Sequence, residues 1–186
     1  MSPPDDVDRR AVARAKVLEG YDVELMTKLV LLDAEPEGRV VWELEITEFY
    51  ANQNGVMHGG AAGVIFDMCT TTALCPISRP GYWEFQAGVS RSINISYLRA
   101  VPLNTKVHIT GRVAQHGRTM ALIRGDMTSP DGKTIYATCE HHKVNVPPTN
   151  SIDELRQLFQ DEIKRRGGDR SWLDNAARAM TVESKL

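Results

Sequence analysis

The stretch "NGVMHGGAAGVIFDMC", residues 54–69, places one carboxylate inside a run of glycine, small and apolar residues. Asp67 is the only acidic residue of this stretch. A carboxylate is rarely buried without a partner, because removing its charge from water is costly. The sequence therefore predicts that Asp67 is either satisfied by Thr70, Thr71 or backbone groups, or has a chemical role.

The run from Gly59 to about Leu74 is apolar on nearly every side, which is typical of a helix buried all round. Its start, His58-Gly59-Gly60, offers backbone N–H groups at the positive end of the helix dipole, where an oxygen that gains negative charge is stabilised. Asp67 lies eight residues beyond Gly59, which is about 12 Å along the axis and about 80° around it. Because Asp67 cannot reach the N–H groups of its own helix, a shared site predicts a dimer in which a second chain supplies the carboxylate.

The sequence on both sides of this helix alternates with a period of two, which predicts β-strands. Before the helix, residues 40–47 place Trp42 on an apolar face, so we expect Trp42 in the core. After it, strands are predicted at residues 88–98, 105–115, 119–128 and 133–146. Turn residues at His116-Gly117 and Pro130–Gly132 favour an antiparallel meander.

In the first of these later strands, the alternation separates an apolar face from a polar one. Ile93, Ile95 and Tyr97 share one face, and Ser90 falls on the opposite face with Ser92. His141 and His142 are adjacent in the last strand, so their side chains are expected on opposite faces, where they cannot share a metal ion.

Both ends of the chain carry helical patterns outside this core. Residues 7–18 have apolar residues at helical spacing, and Ser151 with Glu154 matches a capping box ahead of a C-terminal helix. Gly167-Gly168 breaks that pattern, and a last short helix is predicted near residues 172–180. We therefore expect an N-terminal extension over 1–19, one domain over 20–148 and a helical extension over 149–186.

Composition narrows the class of protein. The 186 residues suit one domain, and 22 basic against 24 acidic residues give a net charge of −2. No basic patch for nucleic acid is present, and the longest apolar stretch is too polar for a membrane span. Cys69, Cys75 and Cys139 lack metal-binding or redox spacing, which favours free thiols in the cytoplasm, with a mitochondrial location left open. Cys69 is more typical of a small core residue than of a nucleophile.

A central helix, an antiparallel sheet and the motif N-x5-H-G-G at residues 52–60, with Asp67 nine residues after the histidine, resemble the hotdog-fold acyl-CoA thioesterases. The pattern is most similar to the PaaI-like group and its thioesterase superfamily member 2 type (acyl-CoA thioesterase 13). The resemblance covers about residues 20–146. It implies an α+β hotdog fold, in which the sheet wraps around the long helix.

By motif position, the resemblance also assigns roles to residues. It implies that the Gly59 amide polarises the thioester carbonyl and that Asp67 of the facing subunit is the general base or nucleophile. Asn52 and His58 would position water and substrate, and Ser90 would orient the attacking water. The family implies homodimers with shared sites, usually paired into tetramers, that act on acyl-CoA or another acyl thioester without a metal or bound cofactor.

The connection over residues 74–90 is longer than is usual in that family and carries three aromatic residues. We expect Tyr82, Trp83 and Phe85, together with Gly60, to contact the acyl substrate. Other functions stay open on the same fold. They are hydration or dehydration of a hydroxyacyl thioester, release of an aryl or polyketide acyl group from a carrier protein, and non-catalytic binding of an acyl thioester.

Overall fold

The computed structural model describes residues 21–79, 81–83 and 88–146, together with Gln157, Asp161 and Lys164. The predicted helices over 7–18 and near 172–180, the capping pair Ser151 and Glu154, and Phe85 lie outside the described residues. Gln157, Asp161 and Lys164 are helical, and Gln157 Nε2 donates to Asp161 Oδ1 at 2.9 Å. The three-part division of the chain stays a prediction.

One antiparallel sheet and one long helix form the described part of the chain. The strand order is β1-β2-β4-β5-β6-β3, so β1 and β3 are the two edges of the sheet. In chain order the elements are α1 (Tyr21–Met26), β1 (Val30–Glu35), β2 (Arg39–Ile46), a 3-10 turn (Glu48–Tyr50), α2 (Gly59–Thr71), a second 3-10 turn (Thr72–Leu74), β3 (Val89–Tyr97), β4 (Thr105–His116), β5 (Met120–Thr128) and β6 (Ile135–Val144).

The predicted strands and the meander of β4, β5 and β6 are confirmed. The turn at Gly117 closes through its N–H to the Met120 carbonyl, and the Gly132 N–H donates to the Ser129 carbonyl. Trp42 is fully buried, as expected, and its indole N–H donates to Thr72 Oγ1 at 2.9 Å. This bond fixes the C-terminal end of α2 against strand β2.

The sheet comes closest to α2 at a pair of glycines. Gly111 on β4 and Gly125 on β5 are directly opposite each other. A Cβ atom added at Gly125 would lie 2.7 Å from Cys139 Sγ and 2.8 Å from Thr70 Cγ2, and one at Gly111 would lie 3.1 Å from the Thr70 Cα. The absence of side chains at these two positions therefore sets how closely the helix packs on the sheet.

Replacing Gly125 with alanine is expected to lower the free energy of unfolding by about 1–3 kcal/mol, because a methyl group is forced into a closely packed core. Gly117→Ala is a suitable control, since its Cβ would lie 3.9 Å from the nearest atom, the Met120 carbonyl oxygen. Urea unfolding of both variants measures the difference. Equal stability of the two would show that α2 can shift away from the sheet at little cost.

The first helix and the first strand were not predicted. In β1 the residues face solvent or are half-buried, with Val30 and Leu32 among the exposed ones. An edge strand covered on neither face by a full core has no strict alternation of polar and apolar residues. The turn that joins β1 to β2 does have a sequence signal, because the turn residues Pro36 and Gly38 flank Glu37. In the structure the Gly38 N–H donates to the Glu35 carbonyl.

Strand β3 corrects the prediction for Ser90. The pairing with β6 matches Ser90 to Lys143 and Ser92 to His142, so Arg91 is an extra residue that forms a β-bulge. The bulge interrupts the alternation of side chains and turns Ser90 to the face that carries Ile93, towards α2. A strictly alternating strand would have pointed Ser90 away from the helix.

Helix α2 is not buried all round within one chain. Its sheet-facing side buries Ala62, Ile65, Phe66, Cys69 and Thr70. On the opposite side Gly60 is exposed, and Val64, Asp67 and Met68 are half-buried. An apolar face of the helix is therefore left uncovered in the single chain.

Candidate active site

His58 caps the N-terminus of α2. Its backbone is extended, with φ −68° and ψ 134°, and its ring Nδ1 accepts the Gly60 N–H at 2.8 Å. The backbone N–H of His58 donates to the Tyr50 carbonyl at 2.7 Å, which fixes the loop that leads into the helix. The imidazole therefore satisfies one of the free N–H groups that every helix start presents.

At the start of α2, the Gly59 N–H is the backbone donor that stays available to a ligand. Its N–H has no hydrogen-bond partner among the described residues, whereas the Gly60 N–H is taken by His58. The carbonyl of His58, which belongs to the same peptide as the Gly59 N–H, accepts the Ala61 N–H at 3.0 Å. The next carbonyl, that of Gly59, accepts the Tyr97 hydroxyl of strand β3 at 2.8 Å. A fixed, unpaired N–H at the positive end of a helix is suited to an oxygen that gains negative charge.

Asn52 shapes the loop before the helix. Its Oδ1 accepts the Asn54 N–H at 2.8 Å and lies 3.4 Å from the Val56 nitrogen, the pattern of an Asx turn. The backbone of Asn52 and Val56 is also paired. Because Oδ1 is used by the turn, the Nδ2 group is the part of Asn52 that is available to a ligand.

Asp67 is partnered from strand β3. Ser90 Oγ donates to Asp67 Oδ1 at 2.6 Å, and the Asp67 side chain is 44% exposed. The carboxylate therefore has both a positioned hydroxyl and access to solvent, which a base that acts on water requires. The alternative that Thr70 or Thr71 satisfies Asp67 is not what the structure shows, since their hydroxyls bond Phe66, His141 and Lys143.

The predicted site residues fall into two groups on one helix. Asn52, His58 and Gly59 lie at its start, and Asp67 with Ser90 lies two turns later. Asp67 is eight positions after Gly59 on the helix, which corresponds to about 12 Å along the axis. Within one chain the structure brings Ser90 to Asp67 but does not bring Asp67 to the Gly59 amide.

A cavity of about 510 Å³ opens beside the start of α2. Its volume is within the range that holds a small-molecule ligand. Apolar side chains dominate its wall, and His58 and Gly60 lie at one side. The lining residues are Tyr21, Leu25, Phe49, Tyr50, Ala51, His58, Gly60, Ala61, Val64 and Ile65.

Known proteins are similar to this chain in both sequence and fold. The profile of the family described as Thioesterase superfamily matches residues 54–136, from the loop before α2 to the start of β6. The crystal structure of zebrafish thioesterase superfamily member 2 is 30% identical in sequence, and the match covers 70% of this chain and 91% of that one with a TM-score of 0.60. The chain belongs to the thioesterase superfamily.

Other proteins similar to this thioesterase support the same family and fold. Human acyl-coenzyme A thioesterase 13 is 29% identical over 134 residues, which cover 72% of this chain and 89% of the human protein. The PaaI protein of Escherichia coli is 17% identical with a TM-score of 0.56, over 74% of this chain and 99% of that one, and shares the fold. The predicted hotdog fold is confirmed, and membership of the superfamily makes the protein a thioester hydrolase.

The thioesterase carries a buried histidine that the sequence analysis did not connect with Asp67. His141 on β6 is fully buried, its Nε2 lies 2.9 Å from Ser90 Oγ, and its Nδ1 lies 2.7 Å from Thr70 Oγ1. Burial lowers the pKa of His141, and the nearby Lys143 charge lowers it further, against an opposing effect of Asp67. The imidazole is therefore neutral near pH 7.

Lys143, two residues further along β6, is the second buried group of this kind. Its side chain is 3% exposed, and Nζ donates to Thr71 Oγ1 at 2.9 Å and lies 3.5 Å from Ser90 Oγ. Burial lowers the pKa of Lys143, while the Asp67 carboxylate acts in the opposite direction. The lysine places a positive charge beneath the Asp67 and Ser90 pair.

A signal for both residues was present in the sequence. Positions 137, 139, 141 and 143 share one face of β6, and Ala137 and Cys139 on that face are buried. Polar residues that continue a buried face of a strand need hydrogen-bond partners. The prediction that His141 and His142 point to opposite faces is confirmed, since His142 is only half-buried.

The aromatic connection after α2 packs against the turn between β4 and β5. Trp83 is buried, and its indole N–H donates to the Gly117 carbonyl at 2.8 Å. The Tyr82 hydroxyl lies 2.5 Å from His116 Nδ1. Neither side chain is among those that line the cavity at the helix start, and their contact with substrate stays a prediction.

The three cysteines are free thiols, as predicted. Cys69 and Cys139 are buried, and burial is the main cause that raises the pKa of both, that of Cys139 to about 12. A thiol held protonated in the core is a poor nucleophile. The expectation that Cys69 is a core residue agrees with this position.

Among the described residues no helix has the length and the hydropathy needed to cross a bilayer.

Proposed function

We propose that this thioesterase hydrolyses acyl-CoA, with Asp67 as the general base and the Gly59 N–H as the oxyanion donor. The observation that carries the proposal is the solvent-accessible Asp67 carboxylate held at 2.6 Å by Ser90. The unpaired Gly59 N–H supplies the second requirement, a donor at the place where charge develops. The human relative, named an acyl-coenzyme A thioesterase, points to acyl-CoA as the substrate class.

The chemistry needs only water as a second reactant. Asp67 takes a proton from water as the water oxygen attacks the thioester carbonyl carbon, and the resulting oxyanion accepts the Gly59 N–H. The tetrahedral intermediate then breaks its C–S bond, and the protonated Asp67 returns the proton to the departing thiolate. The products are the free acid and the CoA thiol. Ser90 and the Nδ2 group of Asn52 hold the water and the carbonyl in line.

His58 and Gly60 support this site through a hydrogen bond between the imidazole and the backbone. The bond from the Gly60 N–H to His58 Nδ1 occupies one donor at the helix start, which leaves Gly59 as the donor for substrate. The cavity at the helix start, with its apolar wall of Leu25, Val64 and Ile65, fits the acyl group.

The active site is composite and is completed by a second copy of the chain. Two features support this assembly: the uncovered face of α2 with Val64 and Met68, and the free edge of β3 with half-buried Ile93 and Ile95. Two-fold packing of these faces would bury apolar surface and bring Asp67 of each copy to the Gly59 amide of the other. Pairing of two such dimers gives the tetramer that the family suggests.

Subunit complementation tests the composite site. One inactive variant lacks the Asp67 carboxylate, Asp67→Asn, and the other lacks the Gly59 N–H, Gly59→Pro. When equal amounts are unfolded together and refolded, half of the dimers are mixed and each has one intact site, so we expect about a quarter of the wild-type activity. Each variant refolded alone gives the background. Activity that stays at this background after mixing would place Gly59 and Asp67 of one chain in one site.

The reaction itself is tested by following free thiol release from acyl-CoA substrates of increasing length, including an aryl example. We expect release that is highest for acyl groups that fit the cavity at the helix start. Crotonyl-CoA serves as a control, because loss of its double bond without thiol release indicates hydration. Absence of thiol release from every substrate by folded, oligomeric protein would overturn the proposal.

A further inference from the structure

A chain of four short contacts leads from Asp67 into the core. Ser90 Oγ lies 2.6 Å from Asp67 Oδ1, and His141 Nε2 lies 2.9 Å from Ser90 Oγ. His141 Nδ1 lies 2.7 Å from Thr70 Oγ1, and Thr70 Oγ1 donates to the Phe66 carbonyl at 2.5 Å. With Asp67 ionised, both ends of this chain are pure acceptors.

The hydrogens in this chain can be counted without knowing where each one lies. Each of the four contacts needs one hydrogen. The hydroxyls of Ser90 and Thr70 bring one each, and a neutral His141 brings one more. Three hydrogens cannot fill four contacts. Lys143 approaches Ser90 Oγ from outside the chain and adds a hydrogen to none of them.

One added proton completes the chain. If it sits on Asp67, the carboxyl donates to Ser90, Ser90 donates to His141 Nε2, and Nδ1–H donates to Thr70. If it sits on His141, Nε2–H donates to Ser90 and Ser90 donates to the Asp67 carboxylate. The two arrangements differ by a shift of two protons across Ser90, and all four contacts are filled in both.

We propose that His141 and Thr70 are positioning residues that keep the chain from Asp67 to Phe66 one proton short, so that the proton taken from the attacking water completes it. This inference rests on the proposed role of Asp67 as the base. The proton is shared between Asp67 and His141 through Ser90 until the departing thiolate takes it. Neither His141 nor Thr70 needs to touch the substrate, and both are fully buried.

The residues around His141 keep its imidazole neutral and able to accept a proton. In register with it lie Ile93 on β3 and Ile123 on β5, which carry no charge. The titratable and charged groups that act on His141 are Lys143, Asp67 and His142, and the charge of Asp67 also raises the pKa of Asp22 on α1. The positive charge of Lys143 disfavours a lasting positive charge on His141. The proton is therefore held only briefly and is then released to the departing thiolate.

The substitution Thr70→Val tests the number of hydrogens in the chain without altering Asp67, Ser90 or His141. Without the Thr70 hydroxyl, two contacts remain for two hydrogens, and the chain is already full before the reaction. We expect kcat to fall about tenfold, the effect of losing one hydrogen bond that forms during the reaction. The acid-side midpoint of the pH profile of kcat/KM should move to lower pH by about one unit, because the protonated site is no longer favoured.

Two matched variants separate this effect from lost packing. Thr70→Ser keeps a hydroxyl and should restore both kcat and the midpoint. Thr72→Val removes a half-buried hydroxyl at the same end of the helix, one that bonds Trp42 and Cys69 instead. This variant should lose stability with kcat and midpoint unchanged. Equal kinetics for Thr70→Val and Thr72→Val would overturn the proposal.

A second readout does not depend on activity. Nitrogen-15 NMR of wild-type protein at neutral pH should show a neutral His141 with one ring hydrogen, and in Thr70→Val that hydrogen should lie on Nε2, where Ser90 accepts it. A wild-type His141 that carries a hydrogen on both ring nitrogens would fill all four contacts and overturn the inference, even if thiol release depends on Asp67. Failure of the wild type to hydrolyse any acyl-CoA would instead refute the proposed function, and the protonation of His141 would still decide the hydrogen count.

Discussion

Asp67→Asn is expected to lower kcat for acyl-CoA hydrolysis by about 10²–10⁴-fold, the range typical of a removed general base. Asparagine has the shape of aspartate, and its Oδ1 can still accept the Ser90 hydroxyl that lies 2.6 Å away. The fold and the cavity beside Gly59 therefore stay intact, and KM should change far less than kcat. Thiol release measured over a range of substrate concentrations separates the two constants.

A matched control for Asp67→Asn is Asp126→Asn. Asp126 lies on β5 and pairs with Arg112 on the surface at 2.9 Å, so its neutralisation removes one carboxylate without touching α2. Exposed pairs of this kind contribute little to stability, and kcat should equal that of wild type. An Asp67→Asn variant that keeps its kcat would remove Asp67 from the mechanism and leave Ser90 and His141 without a catalytic purpose.

Gly59→Pro is expected to lower kcat by about 10²–10³-fold, the loss typical for one oxyanion donor. Proline has no N–H, and the first position of a helix is the one place where a helix tolerates it well. The preceding His58 already has the extended backbone that proline requires, with ψ 134°. Since the Gly59 N–H has no partner among the described residues, the helix loses no hydrogen bond.

Gly59→Ala is the control that separates the lost N–H from the lost glycine. Alanine keeps the donor, and its Cβ would lie 3.5 Å from the Tyr97 ring, an ordinary contact. We expect its kcat to stay close to that of wild type and both variants to melt close to wild type. If alanine is as inactive as proline, the space at position 59 matters to the substrate rather than the amide hydrogen.

The central elements of the fold were predictable because their residues follow a strict period. The alternation around Trp42 and the apolar run from Gly59 each indicate one structure, a strand and a helix, and the structure has both. Trp42 and the sheet-facing side of α2 are buried. Edge strand β1 was missed because its exposed residues, such as Val30 and Leu32, follow no period. Burial of α2 on every side was overestimated because the apolar pattern also describes a surface, around Val64 and Met68, that one chain does not cover.

The candidate site was only partly predictable. The motif around His58, Gly59 and Asp67 is local in sequence, so its residues could be found together. His141 and Thr70 are 71 positions apart and share a hydrogen bond, and this contact arises only when β6 and α2 pack on each other. Ser90 was placed on the wrong face, because alternation alone cannot indicate a bulge.

The bulge at Arg91 also bears on how such a protein could change in evolution. Because Arg91 is the extra residue between Ser90 and Ser92, the loss of its codon would straighten β3 and still leave Ser90 opposite Lys143, on the face of Ile93. Asp67 would then keep the hydroxyl that orients it, although the strand is one residue shorter. Related chains with and without this residue would therefore share one site, and a search that requires a fixed spacing between Asp67 and Ser90 would not recognise both.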